Sequence, residues 1–520
     1  MVAEQWEQAV AGAAEVVLVS GEPGVGKSRL ITAATEHLAV DDGQRVQLQC
    51  EENQQNTAFG PIVRVVRQEL GLSIDDDDAR VRDALVIGCR DRGLDPGEVV
   101  PFLATMLGLG ADDRFPLPEI SAEGRRTRLI ESVASWLTTR VAARPLLVEV
   151  DDLHWADSST CEVLERIRAT AAADSSGAML LLSSRQSALP LSIRPLRATS
   201  ILLSRFDEAT AAKLLTSAVG DDALNREELL AIVRASEGIP LYIEQFGRGV
   251  AEARAASGFA AIPITLKDSL MARLDRLGDA REVAQTASVL GRDFVVGVIE
   301  RMAPDIPALR QRLDALVTAG VLQRSDSAYG LRFRFTHSLM ELAAYEAMLK
   351  SRRTDLHRRA MAAIEAEFPD LRQREPAVFA HHHERAGEID EAVRLLAAAA
   401  QMHAERYAQA EAGSLAGRAL TLLEDLPADE ERDRREVELL AIQLNAIHSE
   451  SGYADPSAVP VQDRYLAAAD RVGDPLSGVI AQVYIASRYM SRGESVLSLP
   501  ASAAMVERAG AGLRLEEDAG

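Results

Sequence analysis

Residues 21–28 read GEPGVGKS, and they lie between an apolar run, EVVLVS at 15–20, and a helical stretch, SRLITAATEHLA. The octet fits G-x-x-x-x-G-K-[ST] set between a strand and a helix, and few arrangements of a chain satisfy that pattern. Backbone N–H groups can turn inward around an anion only where the loop tolerates open conformations, which Gly21, Gly24 and Gly26 supply. The helix that follows aims its positive N-terminal end at the same place. Lys27 can then reach the outer phosphates of a nucleotide, and the Ser28 hydroxyl can ligate Mg²⁺. The expected binding set is Gly21, Glu22, Pro23, Gly24, Val25, Gly26, Lys27, Ser28 and Arg29. A merely flexible glycine-rich turn would need neither the strand before it nor the helix after it.

Four further runs resemble EVVLVS: RVQLQC (45–50), PLLVEV (145–150), AMLLLS (178–183) and TSILLS (199–204). Each is short and largely apolar, as strands buried on both faces of a parallel sheet are. Helical patterns fill the intervals, which predicts an α/β P-loop NTPase core with a parallel sheet and helices on both faces. LLVEVDDLHWAD (146–157) ends its strand on two acids. Paired with the phosphate loop, Asp151 is expected to hold Mg²⁺ and Asp152 to orient the attacking water. Without that loop, two such acids would read as a helix N-cap. SSR (183–185) closes another strand, and Arg185 there can report a γ-phosphate. All three segments stand at carboxyl ends of predicted parallel strands, where open α/β sheets bind ligands.

A chain of 520 residues exceeds what one hydrophobic core supports. After Phe206 the strand-like runs nearly stop. FDEATAAKLLTSAV and NREELLAIVRASEG predict two amphipathic helices, the second ending at Gly238 before Pro240. Helices at 266–276, 279–290 and 306–319, then a strand-turn-strand through VLQRS and GLRFRFT, have the order of a winged helix. From 353 onward the chain reads as α-helical repeats of tetratricopeptide type, with a glycine-centred turn in AGEIDEA. The expected division is an ATPase core at 1–205, an all-α lid at 206–265, a winged-helix-like domain at 266–352 and helical repeats at 353–520. The closing LRLEEDAG lacks a polar capping repeat, so the array is expected to extend further. His381, His382 and His383 are neighbours on a helix and point in different directions, so they read as packing rather than a metal site. The acidic run at 75–78 reads as a solvated loop.

A net charge of −22 argues against nucleic acid as a partner, since phosphate neutralisation needs clustered Lys and Arg. Cys50, Cys89 and Cys161 are widely spaced, which makes a disulfide framework or zinc site implausible. No stretch approaches the ~18 apolar residues of a membrane span, and no signal peptide opens the chain, so a cytoplasmic location is expected.

GEPGVGKSRL, the DDLHWAD block, SSR, EGIPLYIEQF (237–246) and FTHSLMELAAYEAML (335–349) follow one another as they do in STAND-class signalling ATPases. The chain resembles the AAA-like ATPase and repeat segment of some bacterial class III adenylate/guanylate cyclases and of large LuxR-type regulators. More distantly it is similar to the NB-ARC switches. The resemblance implies that Gly238 and Pro240 form the GxP motif of the lid, whose proline packs against adenine. It implies that His337 approaches the ADP β-phosphate; on the residues alone His337 reads as a core-edge histidine. It further implies a slow ATPase using Asp152, Lys27 and Arg185 with ATP or ADP and Mg²⁺, a protein or small-molecule inducer sensed by the repeats, and ATP-dependent self-association. Two departures stand out: MVAEQWEQAVAG replaces the usual VGRExE-like adenine segment, and neither a cyclase domain nor a basic helix-turn-helix is read beside the resembling segment. Asp152 also stands where many AAA enzymes carry glutamate. A repeat scaffold with structural ADP, and a detached regulatory segment of a cyclase or LuxR-type regulator, remain open alternatives.

Overall fold

Continuous burial along the middle of β1 (Ala14–Gly21) shows how the apolar runs are used. Val16 and Leu18 face one apolar cluster, while Val17 and Val19 face another on the opposite side of the sheet. The protein, described here from a computed structural model, is defined over residues 1–38, 45–51, 54–73, 76–139, 145–185, 198–220, 224–257, 270–271, 274–327 and 330–519.

The chain opens with α1 (Val2–Val10), which lays Trp6 and Ala9 against the Val17/Val19 face, and β1 follows. Next come α2 (Lys27–Leu38), β2 (Arg45–Gln49), α3 (Gly60–Glu69), α4 (Asp78–Asp91), α5 (Pro96–Met106), α6 (Ala122–Thr138) and β3 (Leu146–Asp151). Then α7 (Ser158–Asp174), β4 (Ala178–Ser184) and β5 (Thr199–Leu203) complete a five-stranded parallel sheet of order β2-β3-β4-β1-β5. This is the expected α/β P-loop NTPase core. The central strands β1, β3 and β4 are buried nearly throughout, but the edge strands β2 and β5 alternate with exposed positions, so burial on both faces does not hold for them. In the acidic run, exposed Asp77 caps α4 through the Arg80 N–H at 2.7 Å, Asp76 pairs with Arg80 at 2.9 Å, and Asp78 opens that helix instead of lying in the loop; Asp75 lies outside the described residues.

The lid comprises α8 (Glu208–Val219), α9 (Arg226–Ala235) and α10 (Pro240–Ser257). The second helix stops at Ala235 rather than Gly238, and Pro240 opens a third helix that the amphipathic pattern did not reveal. A proline has no N–H to lose at a helix start, so Pro240 favours this position. The expected helix at 266–276 falls largely outside the described residues. Beyond it run α11 (Ala280–Ser288), β6 (Asp293–Val295), α12 (Val296–Met302), α13 (Leu309–Thr318), β7 (Leu322–Ser327) and β8 (Gly330–Phe335). The antiparallel sheet β6-β8-β7 around Phe294, Phe333 and Phe335 has the winged-helix arrangement, with β6 and α12 added to the expected elements.

Thereafter the chain is helical: α14 (Ser338–Glu346), α15 (Lys350–Glu367), α16 (Leu371–Arg374), α17 (Pro376–Ala386), α18 (Ile389–Glu405), α19 (Gln409–Leu423), α20 (Glu430–Ser451), α21 (Ala458–Val472), α22 (Pro475–Ser491) and α23 (Ser495–Ala519). Gly387, at φ 79°, makes the turn in AGEIDEA. His382 packs its Nδ1 2.9 Å from His357 Nδ1, and His357 Nε2 meets the Tyr345 hydroxyl at 2.9 Å. Burial pushes His357 down to about 3 and His381 to about 4, so the cluster packs neutral. The array also folds back onto the core. Tyr407 accepts a hydrogen bond from Arg125 at 2.9 Å, Ala408 joins the core cluster, and Glu411 accepts the Ser159 N–H at 2.8 Å. All three cysteines are buried and free. Among the described residues no helix is long and apolar enough to cross a membrane.

Candidate functional site

At the carboxyl end of β1 the chain turns sharply through Gly21, at φ 154°, where a Cβ would lie 2.8 Å from the Leu203 carbonyl oxygen, so there is no room for a side chain. Gly24 is constrained from outside: at φ +80°, a Cβ there would lie 3.0 Å from Leu241 Cβ and 3.2 Å from Ile239 Cγ2. The lid thus sits directly on the phosphate loop, and the Leu241 N–H donates to the Gly24 carbonyl at 3.1 Å. Pro240 lies between these two contacts. Two ion pairs reinforce the seat: Arg29 with Glu244 of α10 at 2.8 Å, and Arg205 bridging Glu22 at 2.8 Å to Glu237 at 2.6 Å.

Lys27 is buried, and its ammonium donates to the carbonyls of Gly21 at 2.9 Å and Glu22 at 3.0 Å. Desolvation lowers its pKa, opposed by the charges of Asp152 and Asp151. The Ser28 hydroxyl meets both carboxylate oxygens of Asp151, at 3.1 and 3.0 Å. Ser183, at the end of β4, donates to the same carboxylate and accepts the Asp152 N–H at 2.9 Å. Helix α2 and the strands β3 and β4 thereby fix one acidic tip. Asp152 itself has a left-handed backbone, φ 55° and ψ 44°, which turns its side chain off the strand line. Burial and the neighbouring Asp151 raise its pKa, while Arg292, Lys27 and Arg185 pull it down. Arg185 leaves β4 over the Trp155 ring, 5.4 Å from its centroid. His154 is buried beneath; burial, Arg185 and Lys27 lower its pKa to about 4.

The helix N-cap in this block is Asp157, which accepts the Thr160 N–H at 2.8 Å; Asp151 and Asp152 are left for the site. Ser28 and Asp151 are hard oxygen donors, and one carboxylate plus a hydroxyl completed by phosphate oxygens is the set Mg²⁺ accepts. Among the described residues no group of three or more His, Cys, Asp or Glu could hold a metal by itself, so a cation here would share its shell with the phosphates. His337 lines a cleft of about 670 Å³ between α10 and the winged-helix sheet, with Glu244, Arg248, Gln323 and Thr336.

The motif reading therefore brought together Lys27, Ser28, Asp151, Asp152 and Arg185. It missed Ser183, although SSR contains it, because a strand-end serine carries no signal until its neighbour strand is known. It also missed Arg292, whose guanidinium Nη1 lies 3.7 Å from Asp152 Oδ2. GRDF at 291–294 offers no local pattern that could have pointed there.

Residues 1–182 match the AAA ATPase domain family. The chain is 26% identical over 434 residues to an uncharacterised protein, R02095, of Rhizobium meliloti, a match spanning 81% of this chain and 42% of that protein. Among solved structures it is similar to a Signal Transduction ATPase with Numerous Domains (STAND) protein with a tetratricopeptide repeat sensor from Pyrococcus horikoshii. There the identity is 12% and the TM-score 0.36, covering 98% of this chain and 76% of that one. The Drosophila ORC bound to DNA gives 12% identity and a TM-score of 0.31, with coverage of 66% and 84%. RuvB of Thermotoga maritima gives 13% and 0.28, with coverage of 67% and 95%.

Proposed function

We propose that this chain is an ATP-binding, slowly hydrolysing signal-transduction switch whose helical repeats sense a protein or small-molecule partner. The observation that carries the reading is the meeting of Ser28 with Asp151, residues 123 apart in the chain, beside the lysine of the phosphate loop. In this reading Lys27 exchanges its two loop carbonyls for β- and γ-phosphate oxygens, and the loop N–H groups and the α2 N-terminus take the rest of the charge. Ser28 and Asp151 would hold Mg²⁺, whose charge would offset that of the phosphates. Asp152 orients the in-line water, and Arg185 contacts the γ-phosphate from the neighbouring strand. Aspartate reaches less far than glutamate, which suits a slow switch. Pro240, between two residues that contact the loop, packs against adenine.

The four regions at 1–205, 206–265, 266–352 and 353–520 act as core, lid, winged helix and sensor. Separate apolar clusters under the lid and the winged-helix sheet support that division. Regulation is a population shift between a closed ADP form and an open ATP form that self-associates. Calorimetry with MgATP and with ATP in chelator tests the reading. Lys27→Ala should lose about 1.5–3 kcal/mol of nucleotide affinity, since a charge-assisted phosphate contact disappears. Equal affinity in variant and wild type would remove the assignment.

A further inference from the structure

Arg292 belongs to the winged-helix region, yet its guanidinium faces the tip of β3, 3.7 Å from Asp152 Oδ2, with both side chains about three-quarters buried. Its base is rigid. The Phe335 N–H donates to the Arg292 carbonyl at 2.9 Å, and the next residue, Asp293, accepts two hydrogen bonds from Arg334 at 2.9 Å each. Phe294 and Phe335, on either side of this grip, are core residues of that region. Asp152 is equally preset by its Ser183 hydrogen bond and its left-handed backbone. The contact therefore reports the position of one rigid unit relative to another. Lys27 and Arg185 also act on Asp152, but both belong to the ATPase core and move with it.

We propose that Arg292 is a positioning residue that restrains hydrolysis by engaging Asp152 while the winged-helix region lies closed on the core. The inference rests on the ATPase reading above. A guanidinium has only donors. It cannot take a proton from water, and at 3.7 Å its charge stands beside the carboxylate oxygen that an attacking water would address. An ion pair this long and partly exposed is weak enough to open when the region swings away. Opening would free the water-orienting group in the same motion that exposes the core for self-association.

The test measures nucleotide affinity by calorimetry and steady-state hydrolysis for wild type, Arg292→Gln, Arg292→Lys, Asp152→Asn and the Arg292→Gln/Asp152→Asn double variant. Expected is a rise in kcat of about fivefold or more for Arg292→Gln, the low end of a coupling interaction, with KM and Kd unchanged. Arg292→Lys, keeping the charge but losing the fork, should rise less, and it serves as the readout if Arg292→Gln does not fold. The double variant should be as slow as Asp152→Asn, because the brake acts through that carboxylate. An unchanged or lowered kcat in Arg292→Gln, or the same relative rise in the Asp152→Asn background, overturns the inference while leaving the ATPase reading intact. Wild type that binds no nucleotide would overturn both, before any variant is compared.

Discussion

Glu411 should make stability depend on pH through a buried pair of carboxyl groups. Its side chain is 2% exposed and that of Asp157 1%. Glu411 reaches from α19 to the first turn of α7, where it accepts the Ser159 N–H at 2.8 Å. Asp157 accepts the N–H groups of Phe59 and Thr160 at 2.8 Å and the Thr160 hydroxyl at 2.6 Å. Burial, then the facing Glu411 carboxyl, raise Asp157 to about 7 against these hydrogen bonds. Glu450 is pushed the same way by burial, Glu411 and Glu162, with Arg126 opposing. An acid whose pKa is higher folded than unfolded binds more protons in the folded state, so stability falls as pH rises through the interval between the two values. From the ordinary 3.8 to about 7, at ~1.4 kcal/mol per pH unit, the ceiling is about 4 kcal/mol. Glu411→Gln keeps an oxygen for Ser159 and removes the facing charge. Scanning calorimetry from pH 5 to 8.5 should show the wild-type transition falling in temperature across that range and a flatter profile for the variant. At pH 8 the variant should be the more stable by ~1–3 kcal/mol, and at pH 5 the two should nearly coincide. Parallel pH profiles, or an equal loss at both pH values, would refute the reasoning and leave Glu411 as a helix cap alone.

Asp152→Asn should retain ATP binding and slow turnover, whereas Asp151→Asn should also weaken Mg²⁺ dependence; wild-type hydrolysis rates in both variants would locate the chemistry elsewhere. His337→Ala should lose ADP affinity more than ATP affinity, by ~1–3 kcal/mol, with more self-association in sedimentation at a fixed ATP concentration. A lower melting temperature with an unchanged ADP/ATP ratio would make His337 a packing residue only. Gly24→Ala should cost ~1–2 kcal/mol for the left-handed backbone and lift the lid from the loop; hydrogen exchange over 237–246 should speed up, and unchanged protection there would contradict the contact with Leu241.

The legible parts of this protein were those set by short stretches of chain. Five apolar runs became five strands: β1, β3 and β4 were legible because a strand buried on both faces carries few polar residues, whereas β2 and β5, at the sheet edges, kept only part of that signal. The phosphate loop was visible because its glycines, its lysine and the helix behind it are contiguous. The lid was half legible: amphipathic spacing revealed α8 and α9, but α10, entered through Ile239-Pro240-Leu241, packs beside the loop and lacks a simple stripe. The strand β6 spans only Asp293–Val295, too short for alternation to register.

The residues alone determined that a phosphate loop would stand at a strand-to-helix turn and that Asp151 would stand at another strand end, since these depend on local backbone geometry and periodicity. Only the tertiary structure decided what surrounds them. Ser183 against Asp151 needs the strand order β3-β4, Arg292 against Asp152 needs the angle at which the winged-helix region meets the core, and Glu411 against Ser159 spans 252 residues of chain. A long-range ion pair or cap leaves no periodic trace in sequence, because its partners are chosen by the packing of whole elements rather than by spacing along one of them.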